Sequence, residues 1–283
     1  MKAAAFLAET GRDRIGRFRE HLEEAAATPA SEKAVHDLRV SIRRALAWTA
    51  VREELIGPAP ELREARAFLK KLMSPLGKLR DAHVKRDAIR RHVPSGDRPS
   101  YLYAVLVASD VLRWEDRIRR LLRKGRNERI RIRVPKREIA PGGGIDAAAE
   151  ASRLLAKLAE NVAKHRKEAL DPAKSEALHR MRLDFKRYRY AAEVFSPLFP
   201  RAGKAAAKRH QAFQTLLGTI HDCDVILAEA RAFRREILGV AAECTLETAF
   251  RRLRDEKYLE FREIAGTAEG MSKMFGTEFR QGK

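Results

Sequence analysis

Cysteine is nearly absent: Cys223 and Cys244 are the only two in 283 residues, and no Cys-x-x-Cys pair exists. That excludes a disulfide framework and a thiolate zinc site, and it points to a reducing cytoplasm. Aromatics make up 7% of the chain. They form no ladder among the basic residues of the kind that stacks nucleobases, and Trp48, Trp114, Tyr188 and Tyr190 are read as packing residues. No apolar run reaches membrane-spanning length, and the N-terminal MKAAAFLAETGRDRIGRF lacks the apolar core of a signal peptide. Membrane insertion is therefore not expected. Also missing are a Gly-rich phosphate loop, a His-Glu-x-x-His and a nucleophile elbow. No catalytic residue, metal ligand or cofactor is assigned.

Acidic residues are the other shortage: 39 Asp and Glu stand against 59 Lys and Arg, a net charge of +20. Solubility needs far less, so the excess speaks for a phosphate-rich partner. Low glycine and proline with abundant Ala, Leu, Arg, Glu and Lys favour an all-α chain. Apolar residues recur at helical spacing and predict eight long helices, over 3–27, 30–56, 60–92, 99–124, 145–169, 173–196, 201–238 and 241–265. Thr28-Pro29 and Asp171-Pro172 each place a capping side chain before a proline at the first helical position. Gly57-Pro58 and Pro197 to Pro200 end helices, and Pro94-Ser95-Gly96 makes a turn. The segment 125–144 reads as a basic linker with a short alternating stretch from Arg129 to Val134. From Gly266 onward the tail reads as frayed or weakly docked.

The chain repeats itself. His36-Asp-Leu-Arg39-Val-Ser-Ile-Arg43-Arg44 returns as His179-Arg-Met-Arg182-Leu-Asp-Phe-Lys186-Arg187 at an offset of 143, and Thr28-Pro29 to Asp171-Pro172 shares that offset. Leu76 to Val84 returns as Leu217 to Val225 at an offset of 141. Two four-helix halves, 1–141 and 142–283, related by duplication follow from this. At about 100° per residue, Arg39 and Arg43 fall within about 60° of His36 on one helical face. His179, Arg182, Lys186 and Arg189 do the same, while Arg44 and Arg187 flank the stripes. Stacked cations repel by a few tenths of a kcal/mol per pair, and an anion relieves that. Guanidinium forks suit phosphate, and a histidine in the row can donate to a phosphate oxygen.

Gly77 and Gly218 lie inside helices, where glycine costs about 1 kcal/mol against alanine. Close helix–helix approach is the expected compensation. Asp81 and Asp222 are expected to orient the stripes by accepting hydrogen bonds from an arginine. A rival reading gathers His179, His221, Asp222 and Asp255 into the metal centre of a helical phosphohydrolase. The repeat speaks against it, because Arg80 stands where the second copy has His221. Sequence-nonspecific RNA or DNA binding is the other alternative, weakened by the missing stacking residues.

At His36-x-x-Arg39-x-x-x-Arg43-Arg44, Leu76-Gly77-x-x-Arg80-Asp81, His179-x-x-Arg182-x-x-x-Lys186-Arg187-x-Arg189 and Leu217-Gly218-x-x-x-Asp222 the chain resembles the CHAD family, the conserved histidine α-helical domain. The resemblance covers essentially the whole chain. It implies two four-helix bundles about a pseudo-twofold axis with a basic central cavity or pore. It also implies binding of inorganic polyphosphate, in some members with targeting to polyphosphate granules. Two positions depart from the family pattern: Leu46 stands where arginine is common, and His221 where Asn or Arg is common. No Glu-x-Glu-x-Lys signature occurs, so a fused triphosphate-tunnel catalytic domain is not expected. A stand-alone, non-catalytic binding domain is expected.

Overall fold

The computed structural model describes residues 2–28, 31–93, 95–125 and 146–275. Among these residues the regular elements are all helical: α1 (Ala3–Ala27), α2 (Glu32–Ile56), α3 (Pro60–His92), α4 (Arg98–Gly125), α5 (Ala147–Ala169), α6 (Ser175–Phe195), α7 (Pro200–Ala232), α8 (Thr245–Ala265) and α9 (Ala268–Phe275). A 3-10 turn, Ser196–Leu198, links α6 to α7, and a π-turn, Phe233–Ile237, follows α7. No helix among the described residues is long and apolar enough to cross a membrane. The linker 125–144 falls almost wholly outside the described residues, as do Pro29 and Pro94.

Two helix starts differ from expectation. Thr28 closes α1, its hydroxyl donating to the Glu24 carbonyl at 2.9 Å, and Ser31 caps α2 by accepting from the Ala34 N–H at 3.2 Å. Asp171 makes a local turn, accepting from the Ala173 N–H at 3.0 Å, and α6 begins three residues beyond Pro172. In both places the short oxygen-bearing side chain bonds a backbone group close by in sequence and does not cap the helix that follows. Gly57 does end α2, with φ at +100° in the region that glycine reaches at no steric cost.

The end of α7 is also earlier than 238. The buried Arg234 donates from Nε to Glu247 at 3.0 Å and from Nη1 to the Ala241 carbonyl at 2.7 Å, so the backbone turns around its guanidinium. Glycine serves the turn at Gly239, φ +64°. The tail is docked through residue 275. Met271 and Met274 are buried, and the Tyr188 hydroxyl donates to the Phe275 carbonyl at 2.7 Å.

The helices pack as hairpins, α1 with α2, α3 with α4, α5 with α6 and α7 with α8, and α2 lies against α6. One hydrophobic cluster draws on every helix from α1 to α9. Trp48 is fully buried within it and donates from its indole to the Leu7 carbonyl at 2.8 Å. A second cluster, including Ile89, Tyr103, Ile226 and Phe250, joins the α3–α4 hairpin to α7 and α8. The core of α6 is Met181, Phe185, Tyr188, Ala192 and Phe195. The 3.6-residue period then sends Arg182 and Lys186 to a different face of the helix.

Candidate polyanion-binding site

The cations of the two motifs separate into a set without direct ion pairs and a set already engaged. Among the described residues Arg39, Arg43, Arg80, Arg182 and Lys186 make no ion pair. Arg44 instead bonds Glu193. Arg187 pairs with Asp184 at 3.1 Å, and Asp184 also faces His165 at 3.3 Å. Arg189 bonds Gln214, lies 3.9 Å from Glu193 and packs over the Tyr190 ring at 4.4 Å. Its side chain is 13% exposed. Glu193 meets Arg44 across the α2–α6 contact and Arg189 one turn away on its own helix, and so engages both.

Within the unpaired set Arg39, Arg43 and Lys186 are partly desolvated, while Arg80 is exposed. Burial first, and then Arg43 and Arg80, hold the Arg39 guanidinium below its ordinary range. Burial likewise lowers Arg43, with Arg189 adding to it and Tyr190 opposing; its Nε is buried without a hydrogen-bond partner among the described residues, and the Tyr190 ring lies 5.1 Å away. Lys186 is lowered by burial, then by Arg182 and Arg43 against an opposing Tyr190. Lys186 of the second motif therefore feels Arg43 of the first. Like charges brought together out of water are costly until an anion arrives.

Three cavities adjoin these residues. His36, Arg39 and Arg80 line one of 360 Å³ with Leu76, His83 and Arg119. Arg182, Lys186, His221 and Asp222 line one of 760 Å³ with Asp81 and Lys85. Arg43 opens on a third, of 500 Å³, together with Leu46, Lys157, Arg187 and Tyr190. His221 of the second cavity and His179 approach through their Nδ1 atoms at 3.4 Å. Burial, then Arg182 and His179, push His221 down to about 4. Burial raises Asp222 to about 6 although Arg182 pulls it back, and Asp81 raises it further. His36 is lowered by burial and by Arg39, so it is a neutral donor near pH 7 in the free protein.

Two expected structural roles are corrected. Asp81 and Asp222 accept no hydrogen bond from an arginine among the described residues; they line the 760 Å³ cavity, where Asp222 feels Arg182, Arg80 and Lys85 through space without a direct bond. Gly77 and Gly218 do not mark close helix approach, since a Cβ at either would meet nothing within 4 Å. Both lie on helix surface facing open space. Asp255 is 62% exposed beside Arg254, and among the described residues it does not gather with His179, His221 and Asp222 into a metal-holding group.

Several lining residues escape the motif reading. Lys78 and Lys85 fall on the face of α3 that carries Asp81, a spacing visible in the sequence, and Lys85 bonds Glu229 at 2.6 Å. Trp114 is not a plain packing residue: it lines the 760 Å³ cavity between Arg113 and Arg117, whose guanidinium carbons lie 5.9 and 5.4 Å from its ring. Its role was hidden because α4 lies outside the repeated motifs.

The profile of the CHAD domain matches residues 10–231. Two solved structures share the fold. The CHAD domain from the plant Ricinus communis is 18% identical, with 97% of this chain and 93% of that chain covered and a TM-score of 0.57. PptA from Streptomyces chartreusis is 16% identical, with 99% and 100% covered and a TM-score of 0.58. No curated protein matches this chain in sequence.

Proposed function

The chain belongs to the CHAD family, and from that premise we propose that it is a non-catalytic binder of inorganic polyphosphate. Arg39, Arg43, Arg80, Arg182 and Lys186 carry the binding, with His36 and His179 as auxiliary donors. The observation behind this reading is that Arg39 and Arg43 of the first motif and Lys186 of the second are partly buried, are depressed by neighbouring cations and make no direct ion pair. A linear phosphate chain presents a negative charge at every residue along it and needs no base-stacking surface. On this reading the halves are the duplicated bundles of the family, and the two motifs line a shared basic cavity. The protein acts in the cytoplasm, at polyphosphate granules.

Arg44, Arg187 and Arg189 move to supporting roles, because each would have to leave Glu193, Asp184 or Gln214 to reach a phosphate. Replacing Arg182 and Lys186 with alanine should weaken long-chain polyphosphate binding by about tenfold or more per cation. The pair Arg44→Ala and Arg187→Ala should change it far less. Fluorescence anisotropy with labelled polyphosphate measures both, and equal losses would remove the distinction. One observation favours a second reading, single-stranded nucleic acid: Trp114 stands among arginines at the larger cavity. Competition between polyphosphate and charge-matched RNA separates the two, and a clear preference for RNA reverses the ranking.

A further inference from the structure

We propose that Glu32, His83 and Glu115 form a binding site for a divalent metal ion of the Zn²⁺ or Mn²⁺ kind. The three come from α2, α3 and α4, and their donor atoms all lie within 4.8 Å of one another. His83 Nε2 and Glu115 Oε1 are 3.4 Å apart. With metal–ligand bonds of about 2.0–2.1 Å, two ligands of a tetrahedral ion are separated by about 3.4 Å. Glu32 is exposed, in the first turn of α2, and swings inward without disturbing packed structure. Glu115 is otherwise touched by Arg119 at 3.5 Å, a long contact that a dication can displace.

A simple histidine–glutamate contact needs no third carboxylate. Glu32, delivered by a separate helix, turns the pair into a set of one nitrogen and two oxygen donors. Imidazole with carboxylates suits Zn²⁺ and Mn²⁺. The second copy of the motif offers a contrast. The register of Leu76–Val84 on Leu217–Val225 puts Asp224 where His83 stands. Asp224 is met from α8 by Arg254 at 2.9 Å. That place is filled by an ion pair whose guanidinium cannot ligate. In the first copy His83 faces Glu115 in place of an arginine, two carboxylates and a ring nitrogen stand together, and the nearest paired cation is Arg119 at 3.5 Å from Glu115.

The site opens on the 360 Å³ cavity that Arg39 and Arg80 line. Three protein ligands leave a fourth position for water or an anion oxygen. A dication there lets the carboxylates and an incoming phosphate coexist in one cavity, a consequence that rests on the proposed function.

Calorimetric titration of Zn²⁺ alone into metal-free protein tests the site. One ion per chain is expected, and His83→Ala and Glu115→Gln should weaken binding at least as much as loss of a merely orienting partner does, about 10- to 100-fold. Glu32→Gln should weaken it too while leaving thermal unfolding unchanged, which keeps the test decisive if a buried variant misfolds. Wild-type affinity in His83→Ala and Glu32→Gln, or loss only in His221→Ala, overturns the proposal. Repeating the polyphosphate titration with Zn²⁺ addresses the linked consequence. Zinc bound through these residues without any gain in polyphosphate affinity leaves the metal site standing and counts against the phosphate ligand.

Discussion

His221 and Asp222 are chain neighbours pushed in opposite senses by the same burial. Asp222 holds its proton up to about 6. Between about pH 4 and 6 the folded chain thus keeps a proton that the unfolded one releases. The resulting stability is present at low pH and lost as pH rises through about 6. His221, held down at about 4, works the other way: its contribution is present above about 6.5 and is lost as pH falls toward 4. The two partly cancel. Asp222→Asn should therefore raise the melting temperature at pH 7–8, by the equivalent of at most about 2–3 kcal/mol, with the gain shrinking as pH falls through 6. Differential scanning calorimetry from pH 4.5 to 8 measures this, and a gain independent of pH would contradict it. The same variant should bind polyanions more tightly at pH 7, because a negative charge leaves the cavity.

At the scale of elements, glycines inside helices separate two uses of a missing Cβ. A Cβ on Gly11 would stand 2.3 Å from the Trp48 ring, so here α1 and α2 approach through the glycine. Gly11→Ala should destabilise by about 1–3 kcal/mol through overpacking, despite its better helix propensity. Gly218→Ala meets open space and should stabilise by up to about 1 kcal/mol. Urea unfolding compares them; a loss at Gly218 as large as that at Gly11 would show a contact that the geometry lacks. The sequence expectation had assigned close approach to Gly77 and Gly218, because a helical pattern reveals an unusual residue but not what stands opposite. Caps show the same limit. Ser31 and Thr28 both carry the right hydroxyl, and only the chain's direction on leaving α1 decides which one starts α2. The docking of α9 depends on Tyr188 and Phe185, whose rings lie 5.0 and 6.2 Å from that of Phe275 and far from it in sequence.

For the whole molecule, the net charge of +20 acts through the few cations left unpaired. Neutralising five of them on a flexible single-strand-like polyanion predicts that log affinity falls by about 3 to 4 per log unit of salt. The double variant of Arg182 and Lys186 should lower that slope by about 1.4. Binding isotherms between low and moderate salt measure it; a slope near zero would mean that the charge is spent elsewhere. Much of the architecture was legible in the chain. Helices, the duplicated motif and the cationic stripe depend on a 3.6-residue period, which neighbours along the sequence set for themselves. Charge excess is likewise a property of composition. Which cations stay available was not legible. That depends on what faces each one across a helix interface, where Glu193 of α6 captures Arg44 of α2 while Arg43 stands near Arg39 and Lys186 and none of the three closes a direct ion pair. Pairing is settled by distances of a few ångströms between residues more than a hundred positions apart, and only the packed helices bring those together.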